Sequence, residues 1–322
     1  MRRFFVSVPI ALGFLCCWLP AAHASDWPNR PVRIISPASA GGASDTFGRI
    51  LAQHFGDIFN QRFYVENRAG AGGLIGAAAT ANAPADGYTF VTSNVAYVVI
   101  APAASANPGF DTMKDFTHIA YIGGPPNVFV VNPAIGVKSL EEFLAFARRS
   151  GPLPYVSPGV GTVGHLTAVR FAQKANIQLT HIPNKGGSTA ITDLVAGTVN
   201  FGSLTWTSAL GQIRSGHVIP LAVSSEKRLA EYPNVPTLKE LGYEDLVATT
   251  WFGLSGPAGL PADMVQKLNK AVIQVLEIPA VKERLERDAI ETKPMSPDEF
   301  TAFMASEIAK WTPLARQFVK AP

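Results

Sequence analysis

Ile34 to Phe55 reads IISPASAGGASDTFGRILAQHF, and the order of its parts decides the fold. A β-branched run stops in a loop of Pro, Ala, Ser and paired glycines, and an amphipathic helical pattern starts just behind Asp45. Strand, glycine loop and helix in that order open a βαβ unit. Gly41 and Gly42 let the backbone turn tightly with no Cβ in the way of a ligand, and Ser44 or Asp45 is suited to cap the helix. The first-turn amides, at the positive end of the helix dipole, then make a ready anion site. Asp45 reads equally as a capping carboxylate and as an acceptor for a ligand amine, hydroxyl or bridging water.

The same alternation runs outward from this stretch. VRIIS, a helix over 44–59, FYVENR, a Gly/Ala-rich helix over 73–83 and YTFVTSN follow one another. In the middle of the chain FVVNPA, SLEEFLAFARRS, LPYVSPG, GHLTAVRFAQKAN, IQLTHIPNK, STAITDLVAG, VNFGSLT and IPLAVSS repeat it. Ser139 with Glu142 reads as a capping box, hydroxyl and carboxylate each satisfying an orphan amide. After ATTWFGLSGPAGLP come two long amphipathic helices, 262–276 and 297–318, the second opened by Ser296 and Glu299 with Pro297 at its first position. Two helices need a sheet to cover, so the chain is expected to return to its first sheet after completing a second. This predicts an α/β protein of two lobes, each a mixed, mostly parallel sheet flanked by helices, with a ligand cleft between them. The boundaries are 1–24 for a leader, 25–124 plus 247–322 for lobe 1 and 125–246 for lobe 2, with a two-stranded hinge near 123–128 and 244–250.

Arg2-Arg3, the apolar run FFVSVPIALGFLCCWLP and Ala22-His23-Ala24 have the three parts of a secretory signal peptide, with cleavage expected after Ala24. Removing 24 of the 322 residues leaves 298 and takes away both cysteines, Cys16 and Cys17. The mature chain then has no disulfide, Cys-bound zinc or cysteine nucleophile. Without Arg2 and Arg3, 25 basic residues stand against 24 acidic ones, so the mature charge is +1. No basic block accompanies it, which argues against a nucleic-acid or anionic-membrane role.

YVSPGVGTVGHLTAVRF carries a second glycine loop. Gly159, Gly161 and Gly164 match G-x-G-x-x-G between a strand and a helix, the context of a dinucleotide fingerprint. The next strand ends in Asn184-Lys185, where the ribose would require an acid, so the dinucleotide reading fails there, while these glycines and helix start would hold a carboxylate as readily as a phosphate. His165, just behind the loop, reads equally as a cleft-lining and as a bracing residue. Gly186-Gly187-Ser188-Thr189-Ala190 lacks the last glycine of a nucleophile elbow, and His217 is the one histidine after Ser188, so a serine hydrolase is an incomplete reading. His54, His118, His165 and His181 are scattered without metal-ligand spacing; no metal or cofactor is expected. Thr205 and Trp206 follow a strand, where a parallel sheet presents a ligand, and Trp206 reads either as core or as the wall of an apolar or aromatic substrate.

Six ordered stretches, among them WPNRPVRIISPASAGGASDTFGRILA, VENRAGAGGLIGAAATANAPADGYTF, YVSPGVGTVGHL and AVSSEKRLAEYPNVPTLKELGY, resemble the substrate-binding proteins of the tripartite tricarboxylate transporter family, the Bug or TctC-like proteins. The resemblance covers essentially the whole mature chain. It implies a two-lobed, type II-like periplasmic binding protein, not an enzyme, that captures a small carboxylate and delivers it to a membrane permease. By position it implies a first-lobe grip at Ala40, Gly41, Gly42 and Asp45, with Ser93 and Asn94 nearby. The second-lobe grip falls at Ser157, Gly159, Gly161, Thr162 and His165.

The chain departs from the family pattern at three places. Ser36-Pro37-Ala38-Ser39-Ala40 makes a smaller rim than the family's aromatic and prolines; Asn184 stands where tyrosine is common; and Thr205-Trp206 replaces a frequent Asp-Asn pair. A neutral, bulky residue at the ligand's far end favours an aromatic or mono/dicarboxylic acid over an amino acid. The expected receptor is a monomer in the periplasm. A ligand-presenting partner of a membrane sensor shares all these features, and an exported hydrolase is the other alternative.

Overall fold

Among the residues that the computed structural model describes, 27–38, 40–41, 43–184 and 186–319, ten strands form two five-stranded sheets. The first holds β1 (Val32–Ser36), β2 (Phe63–Asn67), β3 (Thr89–Asn94), β4 (Phe116–Gly123) and β10 (Phe252–Pro257), in the order β2-β1-β3-β10-β4. The second holds β5 (Asn127–Val131), β6 (Leu153–Ser157), β7 (Leu179–Pro183), β8 (Phe201–Thr205) and β9 (Ile219–Val223), in the order β7-β6-β8-β5-β9. The two orders are the same pattern. Three strands are parallel, and one antiparallel strand, β10 or β5, separates them from an edge strand. In each sheet the antiparallel strand is the one that arrives from the other sheet.

Helices cover both faces, which is why β3 and β10 are buried throughout and β1 at every position but Arg33. α1 (Ala43–Phe59) and α8 (Ala262–Leu276) pack Phe47, Leu51, Phe55, Leu268 and Val272 against Ile34 and Phe90. On the other face, α2 (Leu74–Ala81), α3 (Ala101–Ala104) and α10 (Pro297–Phe318) flank the sheet, and Phe300, Met304 and Trp311 of α10 meet Ile35 and Val91. Each large apolar side chain so buried contributes about 1.5–3 kcal/mol. In the second lobe α4 (Leu140–Ser150) and α5 (Val163–Ala175) cover Phe129 and Phe201, while α6 (Gly187–Val195) and α7 (Trp206–Arg214) cover Val128, Val130 and Leu204.

The helices expected at 262–276 and 297–318 have those bounds. Three helical pieces were not expected. α7 carries a helical stripe, Trp206, Ala209, Leu210 and Ile213, that a strand-end reading of SLTWTSAL overlooks. α9 (Pro279–Arg287) is mostly charged, with Val281 and Leu285 alone buried, and interrupts the pair of long helices. Ala96–Ile100 is a π-helical turn leading into α3; its Val-Val-Ile looks strand-like, but burial on one face of the first sheet decides.

Caps follow the same pattern of agreement and correction. The Ser296 box is complete: its Oγ accepts from Glu299 N (3.2 Å), and Glu299 Oε2 accepts from Ser296 N (2.8 Å). At α4 Ser139 Oγ accepts from Glu142 N (3.1 Å), but the Glu142 carboxylate takes the amide of Lys138 (2.7 Å) rather than that of Ser139. Ser44 and Asp45 sit inside the first turn of α1, not ahead of it.

The two passages between the sheets lie side by side. Gly124 bridges to Glu291 and Pro126 to Thr249, both antiparallel, and Thr250 N donates to Pro125 O (3.0 Å). A Cβ at Gly124 would run into the backbone of Thr250 and Trp251, so the crossing requires glycine there. α10 spans the boundary, because its Trp311 and Ala315 share an apolar cluster with Val163 and Leu166 of α5. Among the described residues no helix is long and apolar enough to cross a membrane. The leader assigned to 1–24 lies outside the described residues.

Candidate functional site

The first-lobe turn is held by Asp45, which is almost fully buried. Its Oδ2 accepts from Gly41 N (3.0 Å) and Arg49 Nε (2.8 Å), and its Oδ1 from Asn67 Nδ2 (2.9 Å). The Arg49 guanidinium, then the Gly41 and Asn67 donors, outweigh burial and hold its pKa at about 2, below the ordinary 3.8. Asn67 also donates to Ala38 O (3.1 Å), tying the end of β2 to the turn after β1. Ala40, Gly41 and Ala43 are exposed at the tip, and Gly42 lies outside the described residues.

Behind this turn, Ser93 and Asn94 end β3 fully buried. Ser93 Oγ accepts from Ser255 Oγ (3.0 Å), and Asn94 donates to Trp251 O (2.6 Å) while accepting from Ala96 N (2.9 Å). The chain then forms a shelf at Tyr97–Ile100. A Cβ on Gly76 would press on Pro37 Cα (2.9 Å), and one on Gly73 would strike the Tyr97 ring, so the glycine-rich segment 70–76 links the β1 turn to that shelf. Tyr97 is half-buried, and burial pushes its hydroxyl up to about 12.

The second-lobe turn is built alike. Ser157 Oγ accepts from Gly159 N (3.2 Å) and shares a hydrogen bond with His181 Nε2 (2.8 Å). Thr162 is the N-cap of α5; its Oγ1 accepts from His165 N (3.2 Å) and donates to Gly159 O (2.8 Å). Gly161 N donates to His165 Nδ1 (3.3 Å), and the His165 ring stacks on His181 at 4.2 Å. Burial lowers both histidines to about 4, aided at His165 by the His181 charge, so both are neutral at pH 7. A neutral His165 that accepts at Nδ1 carries its proton on Nε2.

The expected free glycine amides therefore differ from what is found: those of Gly41, Gly159 and Gly161 each meet a side-chain acceptor of their own loop. The turn itself abuts the other lobe, since a Cβ at Gly161 would touch Val319 (3.5 Å) and Ile100 (3.6 Å) of the shelf. The second glycine turn thus borders the Tyr97–Ile100 shelf directly through Gly161, whereas on the first-lobe side it is Gly73 of the 70–76 segment that meets the shelf.

Thr205 Oγ1 pairs with Ser208 Oγ (2.7 Å), and Trp206 is buried edge-on to Tyr232 at 4.8 Å. Its backbone N donates to Pro126 O (2.8 Å), pinning the end of β8 to the crossing, and its edge reaches a hollow of about 540 Å3 beside Gly124 and Thr249. Ser188 opens α6 exposed, whereas His217 lies beyond α7 bonded to Gln212 (2.8 Å). Among the described residues no group of three or more His, Cys, Asp or Glu is placed to hold a metal. Asn67, Tyr97 and His181 escaped the sequence reading. Asn67 and Tyr97 stand at or just past a strand end, and that position was the available signal; His181 lies in the middle of β7 and gave none.

Residues 47–319 match the model of the tripartite tricarboxylate transporter family receptor, TctC. The chain belongs to this family. It is 32% identical over 296 residues, 91% of each chain, to Protein BugT of Bordetella pertussis. Among solved structures, that of Rhodopseudomonas palustris Rpa4515 with adipate superposes with a TM-score of 0.81 at 29% identity, covering 90% of this chain and 98% of that one. MatC of the same organism, with bound malate, gives 0.78 at 27% identity, covering 89% and 99%. The receptor is thus a two-lobed periplasmic solute-binding protein of TctC type, in a family of receptors rather than of enzymes.

Proposed function

We propose that this receptor captures a small organic mono- or dicarboxylate, or an aromatic acid, between lobe 1 (25–124 with 247–322) and lobe 2 (125–246). It then presents the closed form to the membrane permease of a tripartite tricarboxylate transporter. The observation that carries the proposal is that two solved relatives covering nearly their whole length with this chain hold adipate and malate. A carboxylate touching both glycine turns stabilises the closed arrangement over the open one, because closure alone brings both sets of donors to it.

In this reading the backbone of Ala40, Gly41, Gly42, Gly159, Gly161 and Thr162 comes up against the ligand, the Gly41, Gly159 and Gly161 amides sharing it with their side-chain acceptors, and His165 contributes its Nε2–H. Asp45 and Ser157 brace the two turns, Ser93 and Asn94 fix the end of β3 against Ser255 and Trp251, and Thr205 with Trp206 closes the far end. The ligand carries no ammonium, since Asp45 is already engaged by Arg49, Gly41 and Asn67 and Thr205 and Trp206 are themselves uncharged. The exported chain, cleaved after Ala24, acts as a monomer. Calorimetric titration of the mature chain with adipate, malate, benzoate, aspartate and glutamate tests this: saturable binding of one of the first three is expected, and binding restricted to aspartate or glutamate overturns it.

A further inference from the structure

Further along α5 than the glycine turn, a hollow of about 260 Å3 lies between the lobes. Thr167 and Arg170 of α5, Asp245 and Leu246 ahead of the return crossing, and Lys310 and Trp311 of α10 form its walls. Asp245 has both oxygens engaged, Oδ2 by Arg170 Nε (3.2 Å) and Oδ1 by Lys174 Nζ (2.6 Å). Glu307, one turn before Lys310, accepts from the indole N–H groups of Trp251 (2.7 Å) and Trp311 (2.9 Å) through a single oxygen, Oε2. Lys310 Nζ donates to Val247 O, and among the described residues no carboxylate oxygen lies within 4.0 Å of it. An ammonium carries three N–H donors, so Lys310 has two beyond that bond. Two cations, Arg170 and Lys310, therefore line a half-buried hollow whose one lining acid, Asp245, already has partners, the second being Lys174 beside it.

We propose that this hollow binds a small oxyanion between Arg170 and Lys310, and that the bound anion ties the lobes together at this edge. Charge-assisted bonds from a guanidinium and an ammonium suit a carboxylate, sulfate or phosphate. At about 30 Å3 per water the space admits such an ion with some of its hydration. Burial draws the Lys310 pKa below its ordinary value against the pull of Glu307 and Asp245, so an added negative charge relieves a real cost of holding the ammonium there. Because Arg170 belongs to one lobe and Lys310 to the other, an anion touching both favours the arrangement in which they are close, whichever solute fills the cleft.

The test is thermal melting of the mature chain in sodium sulfate, sodium phosphate and sodium acetate, with sodium chloride holding ionic strength constant. A saturable rise in Tm above the chloride baseline is expected. Lys310→Met and Arg170→Gln each weaken it by about tenfold or more, the loss of one charge-assisted partner, while Lys310→Arg retains it. A response to sulfate or phosphate identifies an inorganic source, and one to acetate alone an organic carboxylate. Equal responses to every salt, or saturation in Lys310→Met and Arg170→Gln as in the unaltered chain, overturn the proposal. If Lys310→Met does not fold, Arg170→Gln and Lys310→Arg decide. Calorimetry of cleft solutes on the same variants keeps this outcome separate from the solute reading, since neither residue touches the glycine turns.

Discussion

At Asp45 one buried carboxylate answers three donors, and that decides what replacing it does. Asp45→Ala takes the charged acceptor from the Gly41 N–H and from the Asn67 amide, a hydrogen bond to a charged group contributing about 1.5–3 kcal/mol, so the urea midpoint falls by more than a surface substitution produces. Its folded pKa of about 2 lies below the ordinary 3.8, so the stability it adds is full above that ordinary value and is lost as pH falls toward 2. The histidines act at milder pH. His118, His165 and His181 are each lowered by burial from 6.5 to about 4, so between those values the unfolded chain binds more protons than the folded one. Stability therefore drops as pH falls from 6.5 to 4. Melting curves across that range should show it, and His165→Gln with His181→Gln should flatten it; an unchanged slope would sink the assignment. Asp45 was legible as a helix-start residue. Its engagement by Asn67 was not, because that donor comes from a neighbouring strand end.

At the scale of elements, the third glycine of G-x-G-x-x-G has a role unrelated to any nucleotide. A Cβ at Gly164 would collide with Ser203 O, so only glycine lets α5 lie this close to β8. Gly164→Ala must lift the helix, at about 1–3 kcal/mol, and carries the Thr162–His165 cap away from its seat. Reduced Tm together with weakened solute binding is expected, and an unchanged Tm would refute the contact. Ser296→Ala removes one half of the α10 box and costs about 1 kcal/mol by denaturant titration, with solute binding intact. α8 was legible from its apolar period and α10 from its period and its Ser296 capping box, signals that lie within a few residues of one another. α9 and the Ala96–Ile100 turn were not: the first is nearly all polar, and the second is helical because of what surrounds it.

For the whole molecule, the return of the chain sets the order of assembly. All five strands of the second sheet come from 127–223, whereas β3 and β4 of the first are joined only through β10, at 252–257. A fragment 125–246 should therefore melt cooperatively on its own, and a fragment 25–124 should not. Far-UV circular dichroism during heating checks both, and a cooperative 25–124 would contradict the role given to β10.

What the amino-acid order determined by itself is the run of strands and helices, the caps and the glycine turns, because those rest on interactions within about a helical turn. The tertiary structure decided the partners of each turn. Asn67 reaches Asp45 across 22 residues and His181 reaches Ser157 across 24, since parallel pairing sets neighbouring strands side by side. Lys310 meets Val247 across 63 residues because α10 lies over the crossing. Distances of that kind are set by sheet order, and sheet order depends on which apolar faces bury one another rather than on any local spacing.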